Sequence, residues 1–155
     1  MPAQLLQATN RLAEAEPLYR RSLRIIEASY DKNHPRVATQ LNNLAQLLQD
    51  TNRLSEAEPL MRRALVIDEA SYGQDHPRVA RDLNNLAVLL HTTNRLAEAK
   101  PLTRRGLKIL IAFTKHGYQH PNLQAGMNNY ISFLQAQGLS EAAIQAKLAS
   151  LHPQE

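Results

Sequence analysis

The chain has 155 residues, enough for one domain with a substantial core, and its 43% apolar and 21% charged residues are ordinary for a globular protein. Lys and Arg (18) outnumber Asp and Glu (14), and the net charge of +4 slightly favours acidic partners but is far below that of a dedicated nucleic-acid binder. There is no cysteine for disulfide or thiol chemistry, and no apolar run is long enough to span a bilayer. We therefore expect a cytoplasmic protein that binds no membrane. Because of its low net charge, we also expect it to bind no nucleic acid.

The sequence repeats itself at a spacing of 42 residues. Residues 35–70 match residues 77–112 at 24 of 36 positions, and residues 3–30 match residues 45–72 at 22 of 28. A degenerate further copy begins at "HPNLQAGMNNYISFLQ", after a two-residue insertion. A fixed spacing of this kind is typical of repeat architectures. We therefore predict a single domain of four repeats: a truncated first repeat (1–32), then 33–74, 75–118 and a degenerate 119–155.

The first copy is incomplete at its beginning. Its "AQLLQATNRL" at residues 3–12 matches "AQLLQDTNRL" at residues 45–54, so it starts partway through the first helix of a repeat. We expect a short helical stub, a turn and then a second helix. The apolar flank that a complete first helix would cover is then open to solvent or to a neighbour, and two copies could pair end to end through it.

The second copy predicts two helices joined by a short turn. Pro35 suits the first helical position, and apolar residues at 37, 41, 44, 45 and 48 form an amphipathic stripe. The sequence "DTNR" then ends the helix, with Asn52 suited to the left-handed conformation. A second helix should start near Ser55, which would place Pro59 in the first turn, where a missing N–H is tolerated.

The third and fourth copies follow the same plan with local changes. Pro77 and Pro121 should begin first helices, and Asn94 should end the third copy's first helix. From Leu107 to Phe113 the third copy's second helix is apolar nearly all round. We expect the inserted "TKHGYQ" loop to cover this helix, with contact to another chain as the alternative.

The pattern "HPRVATQLNNLAQLLQDTNRLSEAEPLMRRALVIDEASYG" resembles the 42-residue tetratricopeptide repeat (TPR) of the kinesin light chain type, which also occurs in arrays of bacterial multidomain proteins. The resemblance covers essentially the whole chain. It implies an all-α fold, a right-handed α-solenoid of antiparallel helix pairs whose first helices line a concave groove. It also implies a non-catalytic scaffold that binds a protein or peptide. Because the same repeat occurs in proteins of many functions, the resemblance specifies no particular partner.

On this basis the polar positions of the first helices are the candidate binding residues. In TPR domains the second asparagine of a pair such as Asn42–Asn43 grips a ligand backbone or terminal carboxylate, and nearby arginines attract acidic residues. The alternative is that one asparagine of each pair ties neighbouring helices together. The stub would add Gln4, Gln7 and Ala8 to this ladder. The candidate residues are Asn42, Asn43, Gln46, Gln49, Arg78, Arg81, Asn84, Asn85, His91, Asn128 and Asn129.

The charges of the second helices have a structural interpretation in the first two copies. Glu16 and Glu58 precede Arg20 and Arg62 by four residues, which favours ion pairs within one helix. In the third copy Lys100 replaces the glutamate, so Lys100, Arg104 and Lys108 form a basic face, a weaker candidate for binding anions.

No motif in the sequence predicts catalysis, a cofactor or a metal. Histidines 34, 76 and 120 precede helix-start prolines, where capping is the default role; His116 and His120 have metal-like spacing but no third ligand nearby. No phosphate loop, nucleophile elbow or HExxH motif occurs. We therefore expect a non-enzymatic scaffold that holds an extended, acidic segment of a protein or peptide. The alternative is self-association, as a homo-oligomer formed through exposed repeat ends.

Overall fold

The computed structural model describes residues 3–114 and 120–152, and the side chains of residues 11–114 and 120–152. Within these ranges the chain forms α-helices and no strand. The chain divides between Ser71 and Tyr72 into two compact units, each of which is described by itself. The first unit contains α1 (Ala3–Ser29), α2 (Pro35–Asp50) and α3 (Leu54–Tyr72). The second contains α4 (Pro77–Thr92), α5 (Leu96–Thr114), α6 (Leu123–Ala136) and α7 (Glu141–Ala149).

The core of the first unit lies where α2 packs between α1 and α3. The five apolar positions of the predicted stripe on α2 are 0–1% exposed. Their spacing of three and four residues brings them to one side of the helix. The core cluster of this unit consists of Val37, Ala38, Leu41, Ala64 and Ile67, with Leu23, Ile26 and Leu60 packed against it.

Local backbone signals set the ends of the helices in the second and third copies. Pro35 and Pro77 are the first residues of α2 and α4, as predicted. Asn52 and Asn94 adopt the predicted left-handed conformation, with φ of 59° and 63°. Gly138 takes the corresponding place in the fourth copy, with φ of 76°. Residues of these types enter the left-handed region at little cost, which explains why the breaks recur at these positions.

Histidine side chains cap the starts of α2 and α4, and a third histidine makes a similar bond just before α6. The Nδ1 atom of His34 accepts a hydrogen bond of 3.1 Å from the backbone N–H of Arg36. His76 makes the equivalent bond to Arg78, and His120 to Asn122, also at 3.1 Å. For His34 and His76 the bond satisfies an N–H group in the first turn of a helix that would otherwise lack a partner. The predicted capping role is therefore present for these two histidines, whereas Asn122 precedes α6 and the start of that helix has no side-chain cap.

Two expectations about helix boundaries, and one about the place of a proline, are wrong. Residues 3–12 contain no turn, because α1 is one continuous helix through Asn10 and Pro17. Helix α3 begins at Leu54, so Pro59 is its sixth residue and lies beyond the first turn; the helix continues past one missing backbone hydrogen bond near its start. Helix α6 begins at Leu123, two residues after Pro121. The predicted role of Gln4, Gln7 and Ala8 lies outside the described side chains.

In the second unit, helices α4, α5 and α6 contact one another and α7 packs on α6. The apolar part of α5 is largely covered: Leu107 is 1% exposed and Ile109, Leu110 and Ile111 are 5% exposed, whereas Phe113 is exposed. The loop that we expected to cover this helix includes residues 115–119, which lie outside the described residues. No described helix combines the length and apolarity needed to cross a membrane.

Candidate functional site

The main candidate site is a cleft in the second unit, bounded by α4, α5 and the start of α6. Its volume is about 230 Å³. The apolar part of the lining comes from Ala80, Leu107, Leu110, Ala125 and the backbone of two glycines, Gly106 and Gly126. The polar part of the lining consists of Arg81, Asn84, Asn85, Thr103 and Asn122.

Helix α4 supplies the polar side of the cleft because of its amphipathic pattern. Leu83, Leu86 and Ala87 are fully buried, which turns the adjacent residues Asn84 and Asn85 to the half-buried margin of the helix. Arg81 lies one turn earlier on the same side. The structure thus brings together three of the residues that the sequence singled out.

Asn84 also joins two helices. Its Oδ1 atom accepts a hydrogen bond of 3.2 Å from Nδ2 of Asn129, which connects α4 to α6. This contact is of the kind that the structural alternative for the asparagine pairs predicts. A second contact between these helices is the stacking of His91 on Phe133, with ring centroids 4.6 Å apart. These two contacts connect α4 to α6.

Arg81 provides the positive charge at the cleft. Its terminal nitrogen lies 3.8 Å from Oδ1 of the buried Asp82, and its Nε atom is buried without a hydrogen-bond acceptor among the described residues. A guanidinium group has five N–H donors. Arg81 therefore retains donor capacity for a carboxylate or carbonyl oxygen.

The other predicted residues lie apart from this cleft. The guanidinium of Arg78 lies over the ring of Tyr72, 5.1 Å from its centroid. Asn128 is exposed and accepts a hydrogen bond of 3.0 Å from Gln124. Neither residue lines the cleft.

In the first unit, Asn43 and Gln46 line a smaller cleft of about 190 Å³ between α1 and α2, together with Leu12, Ala15, Tyr19, Leu47 and Asp50. Gln46 donates a hydrogen bond of 3.0 Å to Asp50. Asn42 and Gln49 are half-buried on the same helix and do not line this cleft.

The glutamates of the second helices form the predicted ion pairs. Glu16 contacts Arg20, and Glu58 contacts Arg62, both at 2.9 Å. Hydrogen bonds from Arg20 and from Arg53 lower the pKa of the Glu16 carboxyl group. In the third copy the Nζ atom of Lys100 donates a hydrogen bond of 2.6 Å to Gln137. Lys100 is one end of the basic face formed with Arg104 and Lys108, which the sequence offered as a candidate for binding anions. This end of the face is therefore already hydrogen-bonded.

No cluster of histidine and carboxylate side chains suited to a metal ion occurs in residues 11–114 and 120–152. His116, part of the metal-like spacing in the sequence, lies outside the described residues.

Sequence reasoning missed Thr103, Gly106, Asn122 and Gly126 as parts of the cleft. The sequence prediction was confined to the polar face of the first helices, whereas Thr103 and Gly106 belong to a second helix and Gly126 has no polar side chain. The second copy has Met61 and Ala64 where the third has Thr103 and Gly106. A comparison of side-chain size between copies is the signal that could have located the cleft.

Comparison with known proteins identifies the family. A tetratricopeptide repeat model matches residues 3–69 and 41–112. Among curated proteins none matches the sequence.

Solved structures share the fold. BtubC (BKLC) from P. vanneervenii is 23% identical, with a TM-score of 0.74 over 99% of this chain and 64% of that one. A Podosopora anserina kinesin light chain protein with nearly identical TPR-like repeats is 20% identical, with a TM-score of 0.75 over 96% of this chain and 69% of that one. The fold class is therefore the predicted all-α solenoid of TPR type. The chain belongs to the tetratricopeptide repeat family, and its fold is similar to that of solved kinesin light chain-like repeat proteins.

Proposed function

We propose that this protein is a non-catalytic scaffold that binds an extended, acidic segment of a partner protein. The observation that carries the proposal is the convergence of Arg81, Asn84 and Asn85 on one cleft that also has an apolar surface. Proteins of the tetratricopeptide repeat family generally bind proteins or peptides, which supports the general class of function. A cytoplasmic location is part of the proposal.

The chemistry of the cleft suits a peptide backbone. A side-chain amide donates and accepts hydrogen bonds at once, so Asn85 can pair with a peptide group whatever the side chain of the ligand. Asn84 already accepts from Asn129, and its amide nitrogen supplies further donors. Arg81 adds a preference for a carboxylate, since a charge-assisted hydrogen bond is roughly twice as strong as a neutral one.

The first unit offers similar groups on α2. Asn43 and Gln46 are exposed. We include them as contacts for a segment that lies along this helix, together with Asn42 and Gln49. Arg78, His91, Asn128 and Asn129 are included on the second unit as residues next to the main cleft.

The direct test removes the amides from both units. The double substitution Asn43→Ala and Asn85→Ala should weaken binding of the labelled peptide Ac-EESELESEE-NH2 about thirtyfold, because it removes two hydrogen bonds worth about 1 kcal/mol each. Fluorescence anisotropy measures the affinity, and circular dichroism should show unchanged helicity and melting temperature.

Asn33→Ala is the matched control, because Asn33 is an exposed asparagine in the loop before α2. This variant should bind the peptide like the native chain. If the double variant unfolds, the amides have a structural role and the proposal fails. If it binds with native affinity, the peptide does not contact these asparagines and the proposal fails as well.

Self-association is a second candidate, favoured by the exposed apolar side chains of α1. Leu18 and Ile25 are 67% and 52% exposed. Their counterparts in the second copy, Leu60 and Ile67, contribute to the core around α2. Leu18 and Ile25 are seven residues apart and so share one face of α1. A second copy of the chain that packs on this face would bury both.

If this face forms a homodimer, the weight-average mass in sedimentation equilibrium should rise with concentration for the native chain. Ile25→Glu should weaken the association at least tenfold, because it buries a charge in the interface. Val66→Glu is the control, since Val66 is 64% exposed on α3 and lies outside this face. A native chain that stays monomeric at millimolar concentration excludes this candidate.

A further inference from the structure

The contact between α5 and α6 differs from the equivalent contact between α1 and α2 in the size of its side chains. Each contact joins the second helix of one copy to the first helix of the next. Within the first unit the facing positions hold Tyr19 and Ser22 on α1, and Thr39 and Gln40 on α2. Within the second unit the matching positions hold Thr103 and Gly106 on α5, and Ala125 and Gly126 on α6. All four side chains are smaller in the second unit.

These differences leave space between α5 and α6. In the first unit Ser22 donates a hydrogen bond of 3.3 Å to Gln40, so side chains meet between the helices at these two positions. In the second unit the two corresponding residues are glycines, and both line the cleft. Thr103 is 1% exposed, and its hydroxyl group donates a hydrogen bond of 3.2 Å to the backbone of its own helix at Ala99. No side chain from these four positions fills the cleft.

The glycines also fix the walls of the cleft. A Cβ atom on Gly126 would lie 3.0 Å from Cδ2 of Leu107, so this glycine makes room for the leucine that forms one wall. A Cβ atom on Gly106 would lie 3.3 Å from the backbone oxygen of Ala80, so this glycine lets α5 approach α4 closely. The shape of the cleft therefore depends on the absence of both side chains.

The size and lining of the cleft define what it can hold. An apolar cavity of about 150 Å³ is large enough for a benzene ring, and this cleft measures about 230 Å³. Leu107, Leu110 and Ala80 give it an apolar wall, and Arg81 and Asn85 lie on its polar side. An amphipathic lining of this kind matches a bulky apolar side chain that is attached to a polar backbone with an acidic neighbour.

We infer that the cleft of the second unit is an anchor pocket for one leucine or phenylalanine side chain of the acidic segment. The inference rests on the proposed function and adds the feature of the ligand that determines specificity. Protein interiors are close-packed, so the ligand side chain supplies the contacts that the four small residues leave unmade. A buried anchor of this kind dominates the binding energy of a short segment.

The test compares peptides that differ at one central residue, Ac-EESEXESEE-NH2 with X as alanine, leucine or phenylalanine. The native chain should bind the leucine and phenylalanine peptides at least tenfold more tightly than the alanine peptide. Thr103→Met fills the pocket with the residue that the second copy uses, Met61, which is itself 2% exposed and well accommodated. This variant should bind all three peptides with the affinity of the alanine peptide.

Ala97→Met is the matched control. It places the same side chain on α5 at an exposed position outside the cleft, so it should retain the native preference. The inference is overturned if the native chain binds the three peptides equally, or if Thr103→Met folds and keeps the preference. In either case, if the peptides bind, the proposed function is retained and only the anchor pocket is excluded.

A second measurement tests the pocket without a peptide. Titration of the chain with toluene should shift the NMR amide signals of Gly106 and Gly126, and Thr103→Met should abolish these shifts. If toluene binds in this way and none of the peptides does, the proposed function fails and the pocket accepts an apolar group from a different ligand. If toluene leaves these amides unshifted in the native chain, the inference is wrong.

Discussion

Asp68→Leu is expected to raise the free energy of unfolding by about 2 kcal/mol, because it removes a buried carboxyl group that accepts no hydrogen bond from the described residues. Asp68 is 0% exposed, and neither of its side-chain oxygens accepts a hydrogen bond from a described residue. The corresponding positions in the first and third copies hold Ile26 and Leu110. An apolar side chain of similar size is therefore compatible with the repeat at this position.

The measurement is thermal unfolding followed by circular dichroism, combined with urea titration. A gain of this size corresponds to an increase of roughly 5 °C in melting temperature for a chain of this length. Asp68→Asn should give a smaller gain, since the amide is uncharged but still polar. Asp75→Leu, at an exposed site, should change the stability by less than about 0.5 kcal/mol. If Asp68→Leu melts at or below the native temperature, the carboxyl group makes a favourable interaction and the argument is wrong.

The ends of most helices could be predicted from the sequence because they depend on local backbone preferences. Pro35 and Pro77 restrict φ at the first helical position, and Asn52 and Asn94 tolerate positive φ at the breaks. The amphipathic stripe of α2 was equally readable, because a spacing of three and four residues identifies the buried side of a helix. These signals act within a few residues and need no knowledge of the neighbouring helices.

The start of α1 could not be predicted in this way. The letters "TNRL" span the turn at residues 51–53 and the first residue of α3, between two helices that share one core cluster. At residues 9–12 the same letters are part of a continuous helix. Packing of both flanking helices, rather than the four letters, determines whether the turn forms.

The candidate site was predicted in part, for the same reason. Asn84, Asn85 and Arg81 were found because the amphipathic pattern of α4 places them outside the buried stripe. The cleft itself depends on how closely α5 approaches α4 and α6. That approach follows from Gly106 and Gly126, whose missing side chains have consequences only once the facing residues are known. The hydrogen bond from Asn129 to Asn84 likewise depends on how α4 and α6 are placed, because the two residues are 45 positions apart in the sequence.

A matched pair of leucine substitutions tests whether the core of the first unit lies where the structure places it. Leu41→Ala should lower the free energy of unfolding by about 3 kcal/mol, because Leu41 is 0% exposed in the cluster with Val37 and Ile67 and its removal leaves a cavity. Leu18→Ala makes the same chemical change at a side chain that is 67% exposed, and should cost less than about 0.5 kcal/mol in dilute, monomeric samples.

Urea unfolding of the two variants at low concentration measures this difference, and the slope of the transition should stay the same if both unfold cooperatively. Equal losses in the two variants would contradict the assignment of the core. If Leu18→Ala becomes destabilising only as the protein concentration rises, while Leu41→Ala is destabilising at every concentration, the exposed face of α1 is buried by association. The pair therefore separates the stability of the repeat core from any contribution of a second copy, through one type of substitution at two sites in the same unit.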